Sequence, residues 1–356
     1  MKMPSMAGGG DAAFSPGPIS IADAARSLKQ PIVNGLRDAR MATYFWVSKR
    51  RKLLAGDVEG ALDDEARLIV NVQHARESLS TYHRIRTLIE KHSEELADHQ
   101  PDDRLPEQLV LFVGQSRSGH SLVGSLIDAH PDAVIAHELH ALKHLLAGAD
   151  IGTLSRAIQL NARLFDLIGR AYSGYDYQVE GQWQGRHRDL LVIGDKKGNG
   201  TTRLLRRHPR ALDELEARLG IPLRLINVVR HPLDNIATKA RRTGVSVTEA
   251  ARRFLANAHT LDGLTQDRPG QVRTVYLDEL IDAPRTVLSG LITWLGLPSA
   301  TSRYLDACAE RLFDRPKRTR EQVDWPAGLV DRLRTDFARF SALARFADQP
   351  GSCRPY

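Results

Sequence analysis

Cysteine is scarce in this chain of 356 residues, which contains only Cys308 and Cys353. Two distant cysteines exclude a C-x-x-C metal or redox motif and a disulfide framework, so a reducing compartment is the default. Long apolar runs are also missing, since none approaches the roughly 18 residues that a membrane-spanning helix needs. The N-terminal stretch MKMPSMAGGGDAAFSPGP lacks the apolar region of a secretory signal. We expect a cytoplasmic protein without a membrane partner.

Acidic residues are outnumbered by basic ones. The chain has 43 Asp and Glu against 50 Lys and Arg, and its formal net charge is +7. A basic balance favours an anionic partner, such as a nucleotide, a nucleic acid or an acidic surface, without choosing among them. The hydrophobic fraction of 42% is enough for one large α/β domain with a smaller appendage.

Composition divides the chain into four segments. Residues 1–18 are rich in Gly, Pro, Ala and Ser, which predicts disorder. Residues 19–104 carry apolar residues at helical spacing and end in the polar stretch DHQPDDRLP, which indicates a helical module and a linker. Residues 105–347 have an α/β texture, and residues 348–356 are predicted to form a C-terminal tail.

Short apolar runs in the third segment alternate with helical stretches. The predicted strands are Gln108–Gly114, Asp189–Asp195, Leu223–Arg230 and Val272–Leu280. Such alternation predicts a parallel sheet flanked by helices, with ligands bound beyond the carboxyl ends of the strands.

A glycine loop, GQSRSGHS, follows the first predicted strand. Gly114, Gly119 and Ser121 occupy the positions of a P-loop, G-x-x-x-x-G-K-[ST], but His120 replaces its lysine. Strand, loop and helix in this order let main-chain N–H groups and a helix N-terminus hold an anion. The side chains of Arg117 and Ser118 add donors. The loop is therefore predicted to bind an anion, and a tight turn with surface serines is the alternative.

A nucleoside triphosphatase would need more than this loop. Its lysine reaches the β and γ phosphates and its hydroxyl binds Mg²⁺, whereas His120 is shorter and mostly neutral at pH 7. Asp195 ends a strand as a metal-binding aspartate would, but Lys196 and Lys197 follow it directly. Two cations are unfavourable beside a magnesium ion, so this interpretation weakens.

Four segments in order resemble one family. They are FVGQSRSGHSLVGSLIDAHPDAVIAHE, LVIGDKKG, LINVVRHPLDNIATKARR and LDELIDAPRTVLSGLITWLGLP. Together they resemble the sulfotransferases that use 3′-phosphoadenosine 5′-phosphosulfate (PAPS) and release 3′-phosphoadenosine 5′-phosphate (PAP). The likeness covers about residues 107–345 and is closest in motif to the bacterial and tyrosylprotein enzymes.

The resemblance implies a donor site. The loop residues Arg117, Ser118, Gly119, His120 and Ser121 would bind the 5′-phosphosulfate. Arg230 and Thr238 match the residues that bind the 3′-phosphate. Arg242 lies one helical turn beyond Thr238 on the same helix face, so we expect it to join them.

The resemblance also implies a general base and an electrophilic cation. Glu138 matches the glutamate that takes the acceptor proton, a role that suits a carboxylate within hydrogen-bond reach. Lys196 matches the lysine that neutralises charge on the leaving phosphate. His120 replaces the family's usual threonine and is the next candidate for the base. No metal is required.

The acceptor is the least constrained part of the prediction. A hydroxyl of a small molecule or a glycan is favoured over a protein or an amine, and no nucleic-acid partner is expected. A P-loop kinase or NTPase, or a nucleotide-binding protein without catalysis, is the alternative. The basic run from Arg315 to Arg320 suits either a flap over the nucleotide or a solvated loop. Oligomeric state is not predicted.

Overall fold

A computed structural model of the chain describes residue 91 and residues 101–169, 177–313 and 317–348. The predicted disordered N-terminus, nearly all of the helical module and most of the C-terminal tail lie outside these residues. The predictions for those segments therefore stay predictions.

The centre of the described region is a five-stranded, all-parallel sheet. Its strands are β1 (Gln108–Gly114), β2 (Ala133–Ala136), β3 (Val192–Asp195), β4 (Leu223–Val229) and β5 (Val272–Tyr276), in the order β2-β3-β1-β4-β5. Parallel strands need helical crossovers, which cover both sheet faces and bury the strands. The predicted architecture, a parallel sheet flanked by helices, is confirmed.

Helices connect and cover the strands. In chain order they are α1 (His120–Asp128), α2 (Ala141–Leu146), α3 (Ile151–Leu164), α4 (Gly198–Arg207), α5 (Ala211–Leu219), α6 (Pro232–Thr243), α7 (Val247–Asp267), α8 (Leu277–Asp282), α9 (Pro284–Trp294), α10 (Ser302–Ala309) and α11 (Leu329–Phe337). A π-helical turn, Phe165–Gly169, continues α3, and 3₁₀ turns lie at Thr319–Gln322 and Ala344–Phe346.

The two faces of β1 pack into two separate hydrophobic cores. Val110 and Phe112 pack with α1, α9 and α10, whereas Leu109, Leu111 and Val113 pack with α2, α3 and α5. Side chains of a strand alternate between its two faces. A strand that is buried on both faces is therefore a continuous run of apolar residues in the sequence. This is why β1 was predictable from sequence with its observed bounds.

Three predicted strands are shorter in the structure, the one expected at Leu223–Arg230 by a single residue, and one strand was not predicted. The strand expected at Asp189–Asp195 begins at Val192, and the one expected at Val272–Leu280 ends at Tyr276, where α8 begins. The short run Ala133–Ala136 forms β2 at the edge of the sheet. Four residues are too few to give a periodic signal.

No helix in the described ranges is both long and apolar enough to cross a lipid bilayer.

Gly194 in β3 provides a test of this packing. A Cβ atom there would lie 2.7 Å from Ile135 Cδ1 and 2.8 Å from the Val110 carbonyl oxygen, both inside the sheet core. Because the strand backbone cannot move away, we expect Gly194→Ala to lower the free energy of unfolding by about 1–3 kcal/mol. Urea unfolding followed by circular dichroism measures this change.

Gly263 in α7 is the matched control, because its added Cβ would meet no atom within 4 Å. Gly263→Ala should leave stability unchanged or raise it by about 0.5–1 kcal/mol, since alanine has the higher helix propensity. Equal effects of the two substitutions would contradict the placement of β3 against β1 and β2.

Candidate active site

The loop between β1 and α1 has the conformation of an anion cradle. Its backbone takes positive φ at Gly114 (129°), Arg117 (68°) and Gly119 (108°), and Gly119 caps α1. A non-glycine residue in the left-handed region costs energy, so the fold imposes the conformation of Arg117. The first N–H groups of α1 have no acceptor within the helix and carry its positive dipole end. The loop thus presents donors to an anion.

Side chains from two other helices fix this loop. Asn235 of α6 donates through Nδ2 to the Ser116 carbonyl at 2.9 Å and to Ser118 Oγ at 3.0 Å. Gly114 N donates to Thr202 Oγ1 of α4 at 2.8 Å. Because the donors are held before any ligand arrives, less ordering free energy is lost on binding.

His120 lies beneath the loop rather than in its mouth. The ring is 8% exposed, and Nε2 donates to the Val113 carbonyl at 2.9 Å. Burial lowers the pKa of His120 to about 4, so the ring is neutral and a weak base. Added Cβ atoms at Gly198 and Gly114 would lie 2.4 and 2.8 Å from Nε2. These contacts pack the His120 side chain between β1 and α4, and its predicted role as a base or phosphate ligand stays a prediction.

Lys196 joins the loop to the predicted base. It follows β3, its side chain is 4% exposed, and Nζ donates to Ser121 Oγ at 2.7 Å and to Glu138 Oε1 at 3.2 Å. Burial lowers its pKa, and the negative charge of Glu138 acts against that effect. The predicted cation, loop hydroxyl and base therefore form one connected cluster.

Glu138 is held by two lysines. Its second oxygen, Oε2, accepts from Lys197 Nζ at 2.5 Å. Burial raises the pKa of Glu138, but the charges of Lys196 and Lys197 outweigh burial and hold that pKa well below its usual range. Glu138 is therefore ionised over the whole physiological pH range, and its basicity depends on where the two ammonium groups lie.

Asp195 orients the turn that carries Glu138. Its fully buried carboxylate accepts from Leu139 N at 3.0 Å and from Ala141 N at 2.8 Å. Glu138 and His140 in this turn both have positive φ, 60° and 66°. Burial raises the pKa of Asp195 to about 6, against the lowering effect of the two N–H groups. Asp195 thus supports a strained backbone at the site.

Arg230 and Thr238 come together as predicted, with Arg230 NH1 donating to Thr238 Oγ1 at 3.3 Å. A third residue joins them from outside the predicted motif. Thr319 Oγ1 lies 2.8 Å from Thr238 Oγ1 and 3.3 Å from Arg230 NH2. Guanidinium and hydroxyl groups gathered at the end of β4 suit a second anion.

Arg242 is not connected to this group in the described residues. It is exposed on α6, and no hydrogen bond or ion pair joins it to Arg230 or Thr238. Within the basic run, Arg320 pairs with the buried Asp234 at 2.8 Å, which gives it a structural partner. Residues 314–316 lie outside the described residues, and Lys317 and Arg318 are exposed.

Four residues that build the site were not predicted from the sequence. Asn235, Thr202 and Thr319 reach it by tertiary contact alone. Lys197 had a signal, because it follows Lys196 directly at the end of a strand. In the sequence its charge indicates only that a magnesium ion is unfavourable there.

The solved structures described below, to which this chain is similar, are sulfotransferases. No family model and no curated protein sequence matches the chain. The sulfotransferase domain of the Synechococcus PCC 7002 olefin synthase is 19% identical, with a TM-score of 0.40, and the match covers 71% of this chain and 99% of that domain. Sulfotransferase STF9 of Mycobacterium avium is 14% identical, with a TM-score of 0.40, over 79% of this chain and 87% of its own.

A mouse sulfotransferase solved with PAP is 12% identical, with a TM-score of 0.31, and the match covers 59% of this chain and 67% of its own. The structural neighbours named here are bacterial and mammalian sulfotransferases, all at low identity. Likeness at these TM-scores carries no argument, so the function is argued below from the side chains of the site.

The contact between His120 and Gly198 generates a double-mutant test. We expect Gly198→Ala to destabilise the protein by about 1–3 kcal/mol, because the new methyl group overlaps the His120 ring. His120→Thr removes a buried ring and a hydrogen bond and should itself cost about 1–3 kcal/mol. In the double variant the overlap is gone, so Gly198→Ala should cost at least about 1 kcal/mol less there.

Urea unfolding of the four proteins measures the coupling. Strict additivity of the two substitutions would show that the His120 ring does not occupy the space beside Gly198.

Proposed function

We propose that the protein transfers the sulfuryl group of PAPS to an acceptor hydroxyl. The observation that carries this proposal is the contact of Lys196 with both Ser121 and Glu138. It gathers an anion loop, a buried cation and a carboxylate base within hydrogen-bond reach, which is the set of groups that an in-line transfer requires.

The residues present suit the two anionic ends of PAPS. The loop from Arg117 to Ser121 offers main-chain N–H groups, hydroxyls and one guanidinium for the phosphosulfate. Arg230, Thr238 and Thr319 offer donors for the 3′-phosphate at the end of the neighbouring strand. β1 and β4 are adjacent, so the two groups of donors lie at the same edge of the sheet, as one nucleotide would need.

The donor supplies an activated sulfuryl group on a phosphate leaving group. The acceptor oxygen forms a bond to sulfur while the bond from sulfur to the phosphate oxygen breaks. Glu138 accepts the acceptor proton, and Lys196 donates a hydrogen bond to the phosphate oxygen, where negative charge develops. The turn held by Asp195 keeps the carboxylate of Glu138 aimed at the acceptor.

Lys196 couples donor binding to the strength of the base. While both lysines contact Glu138, its carboxylate is a weak base. A donor anion that takes the ammonium group of Lys196 removes one positive charge from Glu138 and raises its pKa. The base is then strongest when the donor is bound, which limits unproductive proton transfer in the free protein.

The site argues against the alternatives. In a magnesium NTPase Asp195 would face the metal ion, but here it is fully buried and its carboxylate bonds the main chain of the Glu138 turn. A nucleotide-binding protein without catalysis would have no use for a strained turn that places a carboxylate beside the loop. A glycan or small-molecule acceptor, a metal-free mechanism and a cytoplasmic location remain part of the proposal.

Nucleotide preference tests the donor assignment. We expect PAP to bind at least about 50-fold more tightly than AMP in isothermal titration calorimetry, because charged hydrogen bonds to the 3′-phosphate contribute about 1.5–3 kcal/mol each. Arg230→Gln should remove most of that preference and leave AMP binding nearly unchanged.

Arg242→Gln is the control. Arg242 lies on the same face of α6 as Thr238, but the structure does not connect it to Arg230 or Thr238. This variant should keep most of the preference. Equal affinity of the wild-type protein for PAP and AMP would refute the 3′-phosphate site, and with it the choice of PAPS over ATP. Transfer from labelled PAPS, abolished by Glu138→Gln, separates an enzyme from a binding protein.

A further inference from the structure

A group of basic side chains lies next to the anion loop and takes no part in the site described above. We call Arg203 and Arg206 of α4, Lys239 of α6 and Arg253 of α7 the basic cluster. The three arginines are exposed and Lys239 is half-buried. Burial lowers the pKa of Lys239, and the positive charges of Arg253, Arg203 and Arg206 lower it further.

Asn257 of α7 ties the basic cluster to the loop. Its Oδ1 accepts from Arg206 NH1 at 2.9 Å, and its Nδ2 donates to Asn199 Oδ1 at 2.9 Å and to Gln115 Oε1 at 3.2 Å. Gln115 is the second residue of the glycine loop. Arg253 lies one turn before Asn257 on the same helix face. Arg206 is thus held beside the loop, and Arg253 lies one turn from the residue that holds it.

The face of α6 that contacts the loop also carries a member of the basic cluster. Asn235 bonds the loop at Ser116 and Ser118, and Lys239 follows Asn235 by one helical turn on that face. Lys239 therefore lies one turn beyond the residue that holds the loop, close enough to Arg253, Arg203 and Arg206 for their charges to act on it.

Only one member of the basic cluster, Arg253, has an acidic partner among the described residues. Glu249 of α7 is the carboxylate at this position, and it is already engaged with Arg252 at 2.7 Å and Arg253 at 2.6 Å. Across the described parts of the chain, no carboxylate forms an ion pair with Arg203, Arg206 or Lys239. Like charges this close repel one another, so a bound anion would be stabilised here.

The first turns of α4 connect the surroundings of Glu138 to the basic cluster. The helix α4 begins one residue after Lys197, which contacts Glu138. Arg203 lies five residues further along, and at 1.5 Å rise per residue that is about 8 Å along the helix axis. This separation is comparable to one or two sugar rings.

We infer that the acceptor is an anionic molecule, an acidic glycan whose carboxylate or sulfate groups bind the basic cluster while a neighbouring hydroxyl is held at Glu138. This inference rests on the proposed function and adds to it the charge of the acceptor. The hydrogen-bond donors assigned to the nucleotide lie on the loop and on Arg230. The basic cluster is therefore available to the second substrate.

The experiment uses a heparin-derived hexasaccharide as the anionic probe and maltohexaose as the neutral one. Binding to the full-length protein is measured by calorimetry with and without saturating PAP. We expect the hexasaccharide to bind and maltohexaose not to bind. The triple variant Arg203→Gln, Lys239→Gln, Arg253→Gln should bind the hexasaccharide at least about tenfold more weakly, with PAP affinity within about twofold of wild type.

A second triple variant controls for net charge. Arg273→Gln, Arg303→Gln and Arg332→Gln remove the same charge from exposed positions on β5, α10 and α11, and this variant should bind the hexasaccharide as wild type does. Equal weakening in both triple variants would overturn the inference, because the effect would then belong to net charge.

The remaining outcomes separate the two proposals. If PAP binds and the hexasaccharide does not, the acceptor inference falls and the donor assignment stands. If the cluster variant loses PAP binding, the basic cluster belongs to the nucleotide site. If a short single-stranded DNA binds as tightly as the hexasaccharide, the surface is a general polyanion site. Failure of PAP to bind the wild-type protein refutes the proposed function itself, whatever the hexasaccharide does.

Discussion

The buried ammonium group of Lys196 is the interaction on which the candidate site depends. An isolated charge away from water is costly unless it is paired and hydrogen-bonded. Here the ion pair with Glu138 and the hydrogen bond to Ser121 supply that compensation. Both partners are groups that a sulfuryl donor or its acceptor would contact. A bound ligand can therefore replace them as the group that compensates the buried charge of Lys196.

The sheet makes this arrangement possible. β1 lies between β3 and β4, so the loop after β1 meets Lys196 on one side and Arg230 on the other. Asp195 then fixes the turn of Glu138 through two main-chain N–H groups. Lys196, Arg230 and the glycine loop each follow a strand, and Glu138 lies in a turn bonded to the end of β3, which gives the site a rigid frame.

Sequence patterns predicted the local features of the site but not the contacts that form only in the tertiary structure. The bounds of β1 and the loop after it follow from an apolar run and a glycine pattern, whereas the pairing of Arg230 with Thr238 was implied by the family resemblance. Helical spacing alone placed Arg242 beside Thr238, and the described structure shows no contact between them, because a shared helix face does not fix where a long side chain ends. The role of His120 depends on Gly198, which lies far away in the sequence and lets the ring fill its space. Thr319 approaches Arg230 only because the chain folds back over α6.

The central claim is that Glu138 competes with the donor anion for Lys196, and the affinity of the Glu138→Gln variant for PAP tests it most directly. Removing the carboxylate charge frees the ammonium group, so the variant should bind PAP several-fold more tightly than the wild-type protein in calorimetry, although it cannot transfer. Lys196→Met in the same assay should bind PAP more weakly than wild type. If Glu138→Gln binds PAP no more tightly than wild type does, Lys196 is not shared between base and donor, and the proposed coupling is wrong.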